Sequence, residues 1–204
     1  ASIPDYNFKE DPPWKSFSGE IQSITLEEGI TRVGGFWFKK CKNLVYVHLP
    51  STITVIGPYA FSHCPNLSII NIPRNPVAIE NHAFFLCKKL ELTDLPERLE
   101  SIGEWAFYCC EQLNFCFLPE TLKSIGTGGF SHCKNLKRIV IPDGIETVAE
   151  NLFDECELLE KVELPNTVKV ISKGAFRSCR NLNSIVLPSS VKKIKSLCFS
   201  GCVQ

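Results

Sequence analysis

The chain lacks an excess of charge of either sign: lysine plus arginine and aspartate plus glutamate both number 22. A nucleic-acid partner needs a basic face to neutralise phosphates, so zero net charge weighs against one. No apolar run approaches the ~18 residues of a membrane span, so no membrane insertion is expected of this sequence. Histidine is scarce, with four residues. G-x-S-x-G, H-E-x-x-H, phosphate-loop and paired C-x-x-C patterns are all missing. No two carboxylates and a histidine fall together in a way that serves acid–base work. The expectation is of a protein without catalytic residues, metal or cofactor. The opening ASIPDYNFKE carries neither an initiator methionine nor a secretory apolar stretch, and says nothing of what precedes it.

What is present in quantity is cysteine, eleven residues of it. In a short secreted chain that number implies disulfides, and in a cytosolic one a metal site. The spacing argues against both. Cys41, Cys64, Cys87, Cys110, Cys133, Cys156, Cys179 and Cys202 recur every 23 residues without an insertion. Phenylalanine keeps the same step from Phe38 to Phe199, and proline from Pro50 to Pro188. A fixed period of this length marks a solenoid.

Each period reads L-x-x-I-x-L-P-x-x-I-x-x-I-G-x-x-A-F-x-x-C-x-N, as in Leu67, Ile70, Ile72, Pro73, Phe84 and Cys87. The segment before proline alternates as a strand with one buried face does, and proline ends it for want of an N–H. Branched aliphatics such as Ile53 and Ile56 return the chain along the other side. The A-F-x-x-C segment is expected as a short helical or 3₁₀ turn. Stacked copies form a parallel sheet with strands about 4.8 Å apart, and neighbours bury a core that none could bury alone.

The L-x-x-I-x-L strand resembles a leucine-rich repeat, and its continuation looks like the BspA-type subgroup. The resemblance covers residues 19–204. It implies a right-handed α/β-type solenoid of about eight repeats, with a concave parallel sheet and short turns or 3₁₀ segments on the convex side. Departures are local: Pro76, Thr93 and Cys116 replace aliphatics, and Glu80, Ala149, Ser172 and Lys195 replace glycine. These are expected to touch local packing only. Residues 1–18 lack the frame but carry Tyr6, Phe8, Trp14 and Phe17, an aromatic flank expected to cover the first repeat. The frame breaks off at Cys202, before the next leucine. That implies a domain truncated there, with further sequence or a partner covering the end.

A cysteine at the same place in every repeat serves the shared core, as a small buried hydrophobe with a weak donor. A column spreads its thiols along a line, whereas a metal needs ligands converging on a point. His63 shares its phase with His132 three turns away, roughly 14 Å at about 4.8 Å per step. That position also holds Lys40, Leu86, Cys109, Glu155, Ser178 and Gly201, and such variation implies exposure to solvent. Cys116 and Cys198 occupy aliphatic or alanine positions and are expected buried. Cys109 is the one candidate for an exposed reactive thiol.

Specificity in a solenoid is written in the non-periodic residues. On the concave face these include Tyr46, Ile69, Leu92, Phe115, Arg138 and Lys161 in one column. His48, Asp94, Phe117, Val140 and Glu163 belong to the next. Tyr46 through Phe115, widened by Phe117 and Val140, form an apolar patch expected to expose roughly 300–500 Å², with Arg138, Lys161 and Glu163 as its polar border. Strand propensity favours Tyr, Ile and Phe, but Leu92 and the clustering are left over. A second apolar spot comprises Phe85, Leu86 and Tyr108. A protein ligand is therefore expected, with self-association as the alternative. The family resemblance implies a cell-surface or secreted adhesin for host matrix glycoproteins such as fibronectin or fibrinogen, or a self-associating surface-layer component. Eight unpaired thiols suit a reducing setting instead, and burial of the column would reconcile the two.

Overall fold

The computed structural model describes residues 4–7 and 9–202, so the expectation for Phe8 lies outside the described residues. The chain winds into a solenoid of parallel strands, and the cysteine series spans seven complete 23-residue turns. The first turns carry β1 (Ser23–Thr25) and β2 (Arg32–Val33), β3 (Tyr46–His48) and β4 (Val55–Ile56), then β5 (Ile69–Asn71) and β6 (Ala78–Ile79). The next two turns keep only the second strand, β7 (Ser101–Ile102) and β8 (Ser124–Ile125). Pairs resume with β9 (Arg138–Val140) and β10 (Thr147–Val148), β11 (Lys161–Glu163) and β12 (Val170–Ile171), and β13 (Ser184–Val186) and β14 (Lys193–Ile194).

The longer strands make the concave face, in two sheets ordered β1-β3-β5 and β9-β11-β13. Their register steps by one period, Tyr46 opposite Ile69 and Lys161 opposite Arg138. The shorter strands form a second face, ordered β2-β4-β6-β7-β8 and β10-β12-β14. Proline lacks the donor a strand needs, so each turn bends at its Pro. The hydroxyl two residues later ties several of these bends to the preceding turn: Thr52 donates to the Ile30 carbonyl and Thr121 to that of Leu99, both at 2.7 Å.

The segment expected as a helical or 3₁₀ turn is a stack of turns instead. Among the described residues the single helix is a 3₁₀ turn at Lys15–Phe17. Two positions per period take left-handed φ whatever the side chain. One column runs through Phe36, Tyr59, His82 and Trp105, the other through Lys40, His63, Leu86 and Cys109, with φ between 53° and 66°. This conformation costs a non-glycine residue roughly 1–2 kcal/mol. It persists because it points the N–H at the next turn: Tyr59 donates to the Asn81 carbonyl at 3.0 Å and His63 to that of Phe85 at 2.7 Å. The position of His63 is thus variable because it supplies backbone, and the histidine is half-buried where full exposure was expected.

Inside, the phenylalanines stack from Phe38 to Phe199 with centroids 5.4–5.9 Å apart. Trp14 extends the column, stacked on Phe38 at 5.9 Å, while its indole N–H donates to the Trp37 carbonyl at 2.6 Å. The cysteines form a parallel line. Each thiol from Cys64 to Cys202 donates to the carbonyl of a phenylalanine 26 residues earlier, at 3.0–3.2 Å. A small apolar side chain with one donor fits this place. Serine would supply the donor with less apolar bulk, and alanine would supply none.

Candidate functional site

On the concave face the structure divides the expected patch. Tyr46 and Ile69 stand side by side and exposed, at 40% and 56%. Leu92 and Phe115 turn inward, at 9% and 3%. Their expected place on the surface is corrected, and so is the expected burial of Cys116, which is exposed. Regular turns point inward the leucine, the aliphatic three residues on and the one two residues after that, as at Leu44, Val47 and Leu49 and at Leu136, Ile139 and Ile141. At Thr93 and Cys116 the middle position has no aliphatic, so the residue before it takes the core place. The inward residues become Leu90, Leu92 and Leu95, then Leu113, Phe115 and Leu118. A spacing of three between the last two cannot fit a strand's period of two, and the ladder breaks. Phe115 gains an edge contact with Phe130 in the stacked column, at 5.7 Å.

The same shift throws Thr93 and Cys116 outward, while Asp94 and Phe117 stay exposed as their equivalents His48 and Asn71 are, Phe117 to 63%. Phe117 keeps an isolated bridge to Val140, which is half-buried. Between β5 and residues 91–97 lies a groove of about 430 Å³, lined by Ile69, Asn71, Arg74, Glu91, Asp94 and Glu97 among others. Asn71 is occupied: its amide accepts from the Leu49 N–H at 2.7 Å and donates to the Leu49 carbonyl at 3.0 Å. Periodic reasoning passed over the groove. The signal for it is Thr93 at the aliphatic position.

The polar border is largely satisfied within itself. Glu163 accepts from Arg138 at 2.6 Å and lies 3.0 Å from Lys161. Hydrogen bonds from Lys161 and Arg138 hold its carboxyl below the usual range. His48 is exposed on β3, at the far end of this face from that trio.

The second apolar spot lies on the convex turns, where Phe85 stacks on Tyr108 at 4.7 Å and both are half-buried. A neighbouring row stacks Phe36 on Tyr59 and Tyr59 on His82, at 4.7 and 4.5 Å. Burial lowers the pKa of His82, and likewise that of His63, whose Nδ1 lies 2.8 Å from the Ser62 hydroxyl. His132 sits 3.1 Å from Glu155. Cys109 is half-buried, and burial raises its thiol pKa, which makes it a poor nucleophile. Burial pushes the column thiols up as well, Cys41 to about 11 and Cys87 to about 12. No cluster of three or more metal-binding side chains occurs among the described residues, and none of its helices is long and apolar enough to cross a membrane.

The family model described as "BspA type Leucine rich repeat region" matches in six copies over residues 2–119 and 106–204. A leucine-rich repeat protein of Bacteroides ovatus is 29% identical, with a TM-score of 0.82 over 88% of this chain and 49% of that one. The chain thus spans about half the length of that relative. A Treponema (T. pallidum) leucine-rich repeat protein is also 29% identical, with a TM-score of 0.71 over 91% of this chain and 78% of that one. A leucine-rich cell surface protein of Faecalibacterium prausnitzii is 27% identical, with a TM-score of 0.61 over 89% and 45%. No curated protein matches at a significant level.

Proposed function

Since the chain belongs to the BspA-type leucine-rich repeat family, we propose that it is a non-enzymatic protein-binding module that meets its partner with the concave face. The observation that carries the reading is the exposure of Tyr46, Ile69 and Phe117 on that one face, beside a groove. Large apolar side chains gathered on a surface cost solvation that burial against a partner recovers. The half-buried aromatics of the convex turns are already stacked on one another, so they offer a partner less.

The specific role is adhesion at the cell surface, with extracellular matrix proteins such as fibronectin or fibrinogen as partners. The family resemblance supports this, as does a relative described as a cell surface protein. Burial of the cysteine column makes free thiols compatible with an oxidising exterior.

Binding of the purified protein to a panel of matrix glycoproteins tests the proposal, with an Ile69→Ser plus Phe117→Ser variant alongside. Both side chains are exposed, so the variant should keep the parent's circular dichroism. Phe115→Ser would open the core and is unsuitable. Binding by the parent and at least tenfold weaker binding by the folded variant is expected. No binding to any panel member, with concentration-dependent oligomers in sedimentation, would instead favour self-association.

A further inference from the structure

In a parallel strand alternate residues face one neighbour and the rest face the other. In β5, Ile69 faces back, its N–H donating to the Val45 carbonyl at 3.1 Å. Ile70 and Ile72 therefore face forward. After β1 and β9 the forward rung is made, Leu26 donating to the His48 carbonyl and Ile141 to that of Glu163, both at 3.0 Å, and after β3 the Asn71 side chain takes its place, accepting from the Leu49 N–H. Here the last rung is Glu91 N–H to the Ser68 carbonyl at 3.1 Å. Beyond it the chain drops inward at Leu92 and bends at Thr93. The N–H and C=O of Ile70 and the N–H of Ile72 then bond to no described residue. They line the groove of about 430 Å³, a size that ordinary ligand sites share.

From this edge we infer that the groove takes an extended, lysine- or arginine-bearing peptide segment of the partner, added as a strand along β5. The inference rests on the concave-face reading and narrows it to a partner chemistry. An open sheet edge is a template for another chain, which supplies the missing hydrogen bonds and sets alternate side chains into the surroundings. Those surroundings are acidic. Glu91, Asp94 and Glu97 line the groove against the single guanidinium of Arg74. None of the four side chains pairs with another charged group among the described residues. Cationic side chains at every second position would meet these carboxylates, whereas an acidic segment would be repelled. Ile69, exposed at the groove's lip, gives an apolar residue between them a place to rest.

The test is selection of linear dodecapeptides from a random display library on the folded protein, followed by synthesis of the leading peptide. The expected peptide carries alternating lysine or arginine, binds at least tenfold more weakly to an Asp94→Asn plus Glu97→Gln variant, and weakens as salt rises. Methylating its backbone nitrogens at alternate residues abolishes binding in one of the two registers only. Hydrogen exchange shows new protection at Ile70 and Ile72. Peptides that lose binding on Ile69→Ser plus Phe117→Ser but ignore N-methylation and the acidic variant overturn strand addition and leave the concave-face reading standing. Failure to select any peptide sensitive to a concave substitution overturns both.

Discussion

The two faces of the solenoid respond differently to the same stretch of sequence. Across residues 78–125 the second sheet continues through β6, β7 and β8, while the concave sheet is absent between β5 and β9. The second sheet has its own break between β8 and β10, two turns further along the coil. That break coincides with Gly144, which stands where Thr121 and Thr167 carry their tethering hydroxyls and whose backbone closes on the Leu122 carbonyl. The phenylalanine and cysteine columns pass both gaps without interruption. Continuity of the coil therefore resides in the columns and the turn-to-turn hydrogen bonds of the convex side. The strands are dispensable locally, which frees the concave one to vary.

That contrast can be broken first at the column. Phe107→Ala removes a fully buried ring stacked on both neighbours. It should cost about 3–5 kcal/mol in denaturant unfolding. A loss under about 1 kcal/mol would show that the column does not carry the coil.

The comparison sharpens if the concave strand is repaired. Exchanging Leu92 with Thr93, and Phe115 with Cys116, moves an apolar side chain back to the aliphatic position in both turns. Three or more regained rungs should raise stability by roughly 1–3 kcal/mol and close the groove. An unchanged or lowered midpoint of unfolding would mean that the Phe115 contact with Phe130, and not the misplaced aliphatic, sets the break.

A smaller effect is expected on the second face. Thr121→Val removes the hydroxyl that bridges the Glu97 and Leu99 carbonyls at 2.9 and 2.7 Å. It should cost about 1 kcal/mol, and a neutral result would show the tether to be incidental.

The cysteines separate the exposed gap from the column by reactivity. At pH 8 a thiol reagent should label Cys116 quickly and leave Cys64, Cys87, Cys110, Cys133 and Cys156 untouched until unfolding. Because burial raises these folded-state pKa values above the ordinary 9.0, with Cys87 at about 12, their contribution is complete below about pH 9. It is lost as pH climbs toward 12, since the unfolded chain then releases protons that the folded one retains. Stability that stays flat from pH 9 to 11 would contradict the buried column.

Most of the architecture was legible because identical residues recur at identical spacing, and a stacked core demands that. The thiol column, the turn at each proline and the inward aliphatics follow from it directly. The left-handed positions were not legible, since residues as different as Tyr59, His82 and Trp105 occupy them and only their backbone matters. The concave patch was misjudged for a related reason. Position in the frame sets orientation only while the aliphatic is present: its absence at Thr93 or Cys116 lets the neighbouring apolar residue claim the core. Hydrophobic burial outweighs the ladder there: a buried Leu or Phe is worth about 1.5–3 kcal/mol, against roughly 1 kcal/mol for each lost rung.

Residue-resolved native-state hydrogen exchange tests the central claim most directly. The account predicts rapid exchange at Ile70, Ile72 and residues 92–95, and strong protection at Phe84, Phe107 and Phe130, whose N–H groups bond to the next turn. Equal protection of the two groups would mean that the concave sheet runs unbroken in solution and that no open edge exists.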